Sequence, residues 1–439
     1  AACEKGSAED LESVRAIQAE IAAVREATPN LVDCASRQVW KARADRKVSD
    51  PIPAWPITPA QRRRRERMLE RGQIRIGIPR VLGMYAYAPL FSVYFESLGV
   101  LPGNIVFSDF SSEEMYRAGA KRGSIDPCFP SKLGLAHVHN LLTVKHRSRR
   151  LDCIFFPMLD VLRSPLVNLR GSNACPTTAL TPEVVKAAFI KESDLFAENG
   201  VRYVNPLLDL SHPDLFARQM LGAWQDILGL SEKENARAVR IGFDALERYE
   251  TELRRQGREL IERLEREGGV GIVVLGRAYH HDPAIHNGIL DALQKRGYPI
   301  LSQNTLPVDP EFLRRFFLDD LEAGYIGHPL EIQDVWANSF SASSALKLWA
   351  AKFTARHPNL IALELSSFKC GHDATIYATI EKIIEQSHTP YFAFKDIDEN
   401  KPAGSIKLRV ETIDYFLRQY RRQLAVQAPN TAAVPIPAA

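Results

Sequence analysis

The feature that most constrains this chain is an alternation of short apolar runs with helically spaced segments, occurring in two separate blocks. In the first block, Ile74-Arg75-Ile76-Gly77-Ile78-Pro79 reads as a strand and Pro89 to Leu98 as a helix stopped at Gly99. Ile105-Val106-Phe107-Ser108 reads as the next strand, Ser131 to Leu142 as a helix, and Cys153-Ile154-Phe155-Phe156-Pro157 as a strand buried on both faces. The second block opens with Val270-Gly271-Ile272-Val273-Val274-Leu275. It continues with strands at Pro299-Ile300-Leu301, Leu360 to Leu365 and Tyr391 to Phe394, then a helix over 405–424. Such alternation predicts an α/β class, with parallel sheets covered by helices. Residues 181–267 between the blocks read as mostly helical. The stretch Ser231 to Glu267 carries dense Arg/Glu pairs three or four apart and stops at Gly268-Gly269.

The expected organisation is an N-terminal arm over 1–72, a first α/β lobe over 73–180, a helical region over 181–267, a second lobe over 268–424 and a disordered Ala/Pro-rich tail over 425–439. A length of 439 residues suits two to three domains. In the arm, Ser7 to Ala27 has helical apolar spacing, and Pro51-Ile52-Pro53-Ala54-Trp55-Pro56 and Pro59 form an extended, Pro-punctuated segment. The arm is expected to attach loosely and to wrap the body or contact a neighbouring module. Its run Arg62, Arg63, Arg64, Arg65 and Arg67 invites an RNA reading, but a solvated helix face is the commoner meaning of such a run. The net charge of +3 does not support nucleic-acid binding. With 45% apolar and 25% charged residues the disordered and fibrous classes are excluded. No apolar stretch approaches the roughly 20 residues that span a bilayer. The start Ala1-Ala2-Cys3, without Met or an apolar signal core, is expected to be a piece of a longer polypeptide.

Six cysteines in a chain of this length are too few and too scattered for a disulfide scaffold, which points to a reducing, cytoplasmic setting. Three of them share a local context. Cys128 precedes the helix from Ser131, Cys175 precedes a helix starting near Pro182, and Cys370 lies between an apolar strand and a helix from Ala374. Unpaired N–H groups and the dipole at a helix start favour a thiolate or an anionic cluster. Spacings this long match no zinc finger or ribbon. Cys153 sits inside a strand and reads as a buried, inert thiol; Cys3 and Cys34 in the arm have no functional reading. His280, after a strand ending Leu275-Gly276-Arg277, and His372, beside Cys370, are candidates to orient or hydrogen-bond a site. There is no GxxxxGK[ST] and no GxGxxG, so nucleotide hydrolysis by this chain is not expected.

Five segments occur in one order: Ile74 to Tyr85, Pro127-Cys128-Phe129-Pro130-Ser131-Lys132, Ala174-Cys175-Pro176, Leu275-Gly276-Arg277-Ala278-Tyr279-His280 and Phe368-Lys369-Cys370-Gly371-His372-Asp373-Ala374. Together, over about residues 73–420, they resemble the activase-associated domain of the 2-hydroxyacyl-CoA dehydratase and double-cubane cluster protein superfamily, as in large fused CoA-enzyme activases. The resemblance implies two flavodoxin-like lobes facing a cleft. It implies an iron–sulfur cluster, [4Fe–4S] or double-cubane, on the thiolates of Cys128, Cys175 and Cys370, with His372 and His280 nearby. It further implies an oxidoreductase or dehydratase-like electron-transfer component, served by an ATP-hydrolysing activase module in cis or in trans; a homodimer is compatible with it. The activase's own ATPase and CxxC-type cluster loop are absent here. Two other readings stand beside this one: a docking or regulatory domain with idle cysteines, and a zinc or thiol site at Cys370 and His372.

Overall fold

In a computed structural model, residues 10–55, 58–122, 128–399 and 403–427 are described. Within them the strands run in chain order as β1 (Ile76–Ile78), β2 (Ile105–Phe107), β3 (Cys153–Phe155), β4 (Met158–Val161), β5 (Arg202–Val204), β6 (Leu207–Asp209), β7 (Gly271–Leu275), β8 (Ile300–Ser302), β9 (Leu360–Leu365) and β10 (Tyr391–Phe394). They form two four-stranded sheets, β2-β1-β3-β5 and β10-β9-β7-β8, and a two-stranded ribbon β4-β6. Every pairing is parallel: Ile76 sits opposite Ile105 and Cys153, and Ile272 opposite Ile300 and Ile361. Each sheet has the order 2-1-3-4 when its own strands are counted from the first, the flavodoxin-like order. All residues of β7 and β9 are buried, which explains why these strands are continuous apolar runs rather than alternating ones.

This order has a functional consequence. The chain leaves the first strand of each sheet toward one edge and the third strand toward the other, opening a crevice at their C-terminal ends. The crevice lies between β1 and β3 in one lobe and between β7 and β9 in the other.

The lobes are joined by the 36-residue helix Glu232–Glu267, started by a capping box of Ser231 and Glu234. It meets both lobes at glycines. A Cβ on Gly242 would fall 2.8 Å from the carbonyl oxygen of Leu90, and one on Gly257 would fall 1.7 Å from that of Thr305. Backbone approaches this close admit no side chain.

Several elements differ from the reading of the sequence. The helix expected from Pro89 begins at Met84 and runs to Ser97 with Pro89 inside it. Pro89 removes one helical bond, but burial of nearly every residue of this helix outweighs that loss. Residues 181–267, read as mostly helical, also contribute β5 to the edge of the first sheet and β6 to the ribbon; these strands are three residues long, too short for a period to show. The last helix spans Ala403–Gln427, so three residues assigned to the tail are helical. The rest of the tail, Cys3, and the Ser124–Pro127 part of the Cys128 loop lie outside the described residues.

The arm is not loosely attached. Leu31, Val32, Val39 and Trp40 are buried, Asn30 bridges Ile300 on β8, and the Trp40 ring packs edge-on against Tyr85 and Phe107. The arginine run lies on helix Pro59–Glu70 with Arg62, Arg63 and Arg67 exposed. Arg64 turns inward, to Gly229 O at 3.0 Å and Asp50 at 2.6 Å. Asp50 also accepts from Ser231 Oγ at 2.7 Å and from Arg237. Burial would raise its carboxyl, but the bonds from Ser231, Arg237 and Arg64 hold it down at about 2. An acid depressed from its unfolded value of about 3.9 stabilises the fold above that value and loses the effect as pH falls through the folded one. Asp50→Asn is therefore expected to cost about 2 kcal/mol at neutral pH. Urea denaturation should show the gap between variant and parent closing below about pH 4; a gap that persists at low pH would show that packing, not charge, holds the arm.

Candidate functional site

Each of the three cysteines is itself the N-cap of a helix: Cys128 of Phe129–Asn140, Cys175 of Pro176–Ile190 and Cys370 of Gly371–Ala374. The Cys175 helix thus starts six residues before Pro182. In the first two, proline follows within the first two helical positions, where its missing N–H costs nothing. All three thiols are free and half-buried.

The loops come from different parts of the chain but border one region. Arg277, just past β7, reaches across the second crevice to Cys370, past β9, with Nη2 at 3.8 Å from Sγ. Cys175 lines a cavity together with Arg277 and Tyr279. The buried phenol of Tyr279 is pushed well up, by burial first, and thiolates at Cys370 and Cys128 would add to that rise. The two lobes are stitched here. Asn173, two residues before Cys175, bridges Ser341, and Ser341 Oγ lies 2.9 Å from His372 Nδ1, two residues past Cys370. Cys128 Sγ lies 3.5 Å from Ser131 Oγ.

His280 and His372 have defined partners. His280 is buried, and its Nδ1 accepts from Arg277 N at 2.9 Å; burial pushes its pKa well below the ordinary value. It is a neutral ring that shapes the Arg277 turn. His372 is fixed through Ser341.

Cys153 stands apart in β3, 2% exposed among core residues that include Phe91, Phe95 and Phe155. Burial pushes its thiol up to about 12. Cys34 packs against Gln256 of the long helix and Gln38.

Reading the sequence did not find the charged network that supports this region. Arg277 Nη2 donates to Asp373 Oδ1 at 2.7 Å, and Lys347 Nζ donates to Asp373 Oδ2 at 2.9 Å and to Glu364 Oε1 at 3.0 Å. Ser366 Oγ donates to Asp373 at 2.6 Å, and the Tyr391 hydroxyl donates to Glu364. Lys347, Glu364 and Asp373 are all fully buried. Burial alone would raise the Asp373 carboxyl, but Lys347 and Arg277 hold it well below the usual carboxylate range. Two cations and two anions balance, so Arg277 stays charged with its guanidinium beside Cys370. Burial pushes the Cys370 thiol up, and Arg277 opposes this. A signal was available. Lys347 is a buried charge in the largely buried helix Ala342–Arg356, and Glu364 is the only charge in the wholly buried β9.

Among the described residues, no three His, Cys, Asp or Glu side chains gather closely enough to hold one metal ion. Ligands of a single tetrahedral zinc lie roughly 4 Å apart, so Cys370 and His372 do not form such a site with a third ligand. Thiolates on a four-iron cluster sit farther apart, about 7 Å, and soft thiols on separate loops suit that group in donor chemistry.

The family model of the CoA enzyme activase uncharacterised domain (DUF2229) matches residues 75–306, just over half of the chain. The match includes Cys128, Cys175, Arg277 and Tyr279; β9, Cys370 and β10 lie beyond it. No curated protein matches the chain.

Proposed function

The chain belongs to the family of the CoA enzyme activase uncharacterised domain, and from that premise we propose that it is the iron–sulfur, electron-accepting component of an ATP-dependent low-potential reductase system. Cys128, Cys175 and Cys370 are the proposed ligands. The electron donor is an ATP-hydrolysing activase module, in the same polypeptide or a separate one, in the cytoplasm. The observation that carries this reading is the placement of three N-cap cysteines, from three loops and both lobes, around the single Arg277–Tyr279 turn.

When bound, such a cluster supplies a site that takes up one electron at a time at a low potential. The chain's own residues would govern how readily that happens. The helix starts after Cys128 and Cys175 direct their N–H groups and positive dipole ends at the ligand loops, and the single turn after Cys370 adds its own N–H groups. Arg277, kept charged by Asp373, adds a fixed cation beside Cys370 Sγ. Both effects favour the extra negative charge of a reduced centre. Having three protein ligands rather than four leaves one iron for a sulfide, water or substrate ligand.

The test is anaerobic preparation of the chain with iron and sulfide. A brown protein absorbing near about 400 nm, with roughly four or more irons per chain, is the expected result. A colourless chain that still binds the activase module would favour the docking-domain reading, and stoichiometric zinc would favour the thiol site at Cys370.

A further inference from the structure

Beside Cys175 the lobes enclose a cavity of about 150 Å³. Space of that size holds a molecule of about benzene's bulk, so the body of a coenzyme A does not fit inside it. Leu82, Leu253 and Leu346 supply apolar wall. A charged group lies at the same wall: Arg163 Nη1 and Arg254 Nη2 face one oxygen of Glu250 at 4.0 and 3.8 Å. Both separations are too long for hydrogen bonds. Arg163 Nη1 is buried with no hydrogen-bond partner, as is Gln303 Oε1 in the same lining. The Arg163 side chain as a whole is a third exposed, but its Nη1 reaches neither solvent nor an acceptor, so one donor of the guanidinium is left unused at the cavity wall. Burial pushes the Glu250 carboxyl up although both guanidiniums pull it down, with exposed Glu247 adding to the rise.

We propose that this cavity binds a small free monocarboxylate, its carboxylate taken by Arg163 and Arg254 and its apolar body against Leu82, Leu253 and Leu346 beside Cys175. The charges select the class. Two guanidiniums against Glu250 leave one positive charge, which a monoanion balances, whereas a dianionic phosphate would leave a net negative charge in a confined space. Guanidinium also matches a carboxylate geometrically, through paired N–H donors. The site goes beyond the cluster reading, because nothing in it requires iron.

Calorimetric titration of the full chain with pentanoate, pentanamide and pentyl phosphate tests it, first with metal removed and then after iron reconstitution. Pentanoate is expected to bind with a Kd on the order of 1 mM or tighter, and the amide and the phosphate at least about 10-fold more weakly. Arg163→Gln should weaken pentanoate by about 10-fold or more. Glu250→Gln removes only the competing charge and should tighten it, which keeps the test informative should the arginine variant fold poorly. Equal binding of acid and amide, no saturable heat, or weaker pentanoate binding by Glu250→Gln would overturn the proposal. The metal-free titration separates its fate from that of the cluster, since either result can occur whether or not iron binds.

Discussion

Lys347→Met is expected to remove about 3–5 kcal/mol of stability, the loss that follows when one partner of a buried ion pair is taken away. Methionine matches the length of the lysine stem, so little cavity forms. What remains is electrostatic: Asp373 and Glu364, both fully buried, would face one cation, Arg277, instead of two. Chemical denaturation should show a lower midpoint with an unchanged slope. The double variant Lys347→Met with Glu364→Gln restores the charge balance and should recover part of the loss. If the double variant is as unstable as the sum of the singles, the network is a set of independent contacts and not a coupled unit.

The position of this network explains why a stable core would keep such a costly arrangement. Lys347 comes from the helix over the second sheet, Glu364 from the middle of β9, Asp373 from the loop after it and Arg277 from the loop after β7. Four charges thus lock together both loops that leave the second crevice, and with them the direction of Arg277 toward Cys370. Hydrophobic residues of similar size would pack at least as well, but would not fix a cation beside that thiol.

The inner strands were legible in the sequence because they are buried on both faces and show as apolar runs, as β9 does over Leu360 to Leu365; the partly exposed edge strand β10 still shows through its aromatic run Tyr391 to Phe394. β5 and β6 were not legible. Each is three residues long and starts on an exposed residue, Arg202 or Leu207, so neither is long enough for a period to show. The arm was misjudged for a related reason. Its buried residues, Leu31, Val32, Val39 and Trp40, serve cores that belong to other segments, and no local period reports such long-range packing. At the site, proline and glycine punctuation marked loops that feed helices at Cys128, Cys175 and Cys370, although the helices begin at Phe129, Pro176 and Gly371, before the Ser131, Pro182 and Ala374 starts read from the sequence. The supporting ion pairs join residues 17 to 96 positions apart, a separation that only the fold discloses.

Replacing Cys128, Cys175 or Cys370 by serine is expected to lower bound iron sharply in each case, while Cys153→Ala leaves it unchanged. Serine keeps the size of the side chain but offers a harder, more basic oxygen that holds iron poorly in a sulfide cluster. All three positions are half-buried N-caps with no side-chain capping bond to lose, so folding should be little affected and iron becomes the readout. Cys153 is the internal control. It is 2% exposed in β3 and its thiol is held protonated by burial, so its removal should cost only packing, on the order of 1 kcal/mol. Iron per chain and the visible absorbance, measured on the four variants prepared anaerobically side by side, decide the matter. Loss confined to the three N-cap variants assigns the ligands. Full iron retention in any one of them removes that cysteine from the set, and loss of iron with Cys153→Ala would mean that the cluster depends on the integrity of the first sheet and not on the loops at its crevice.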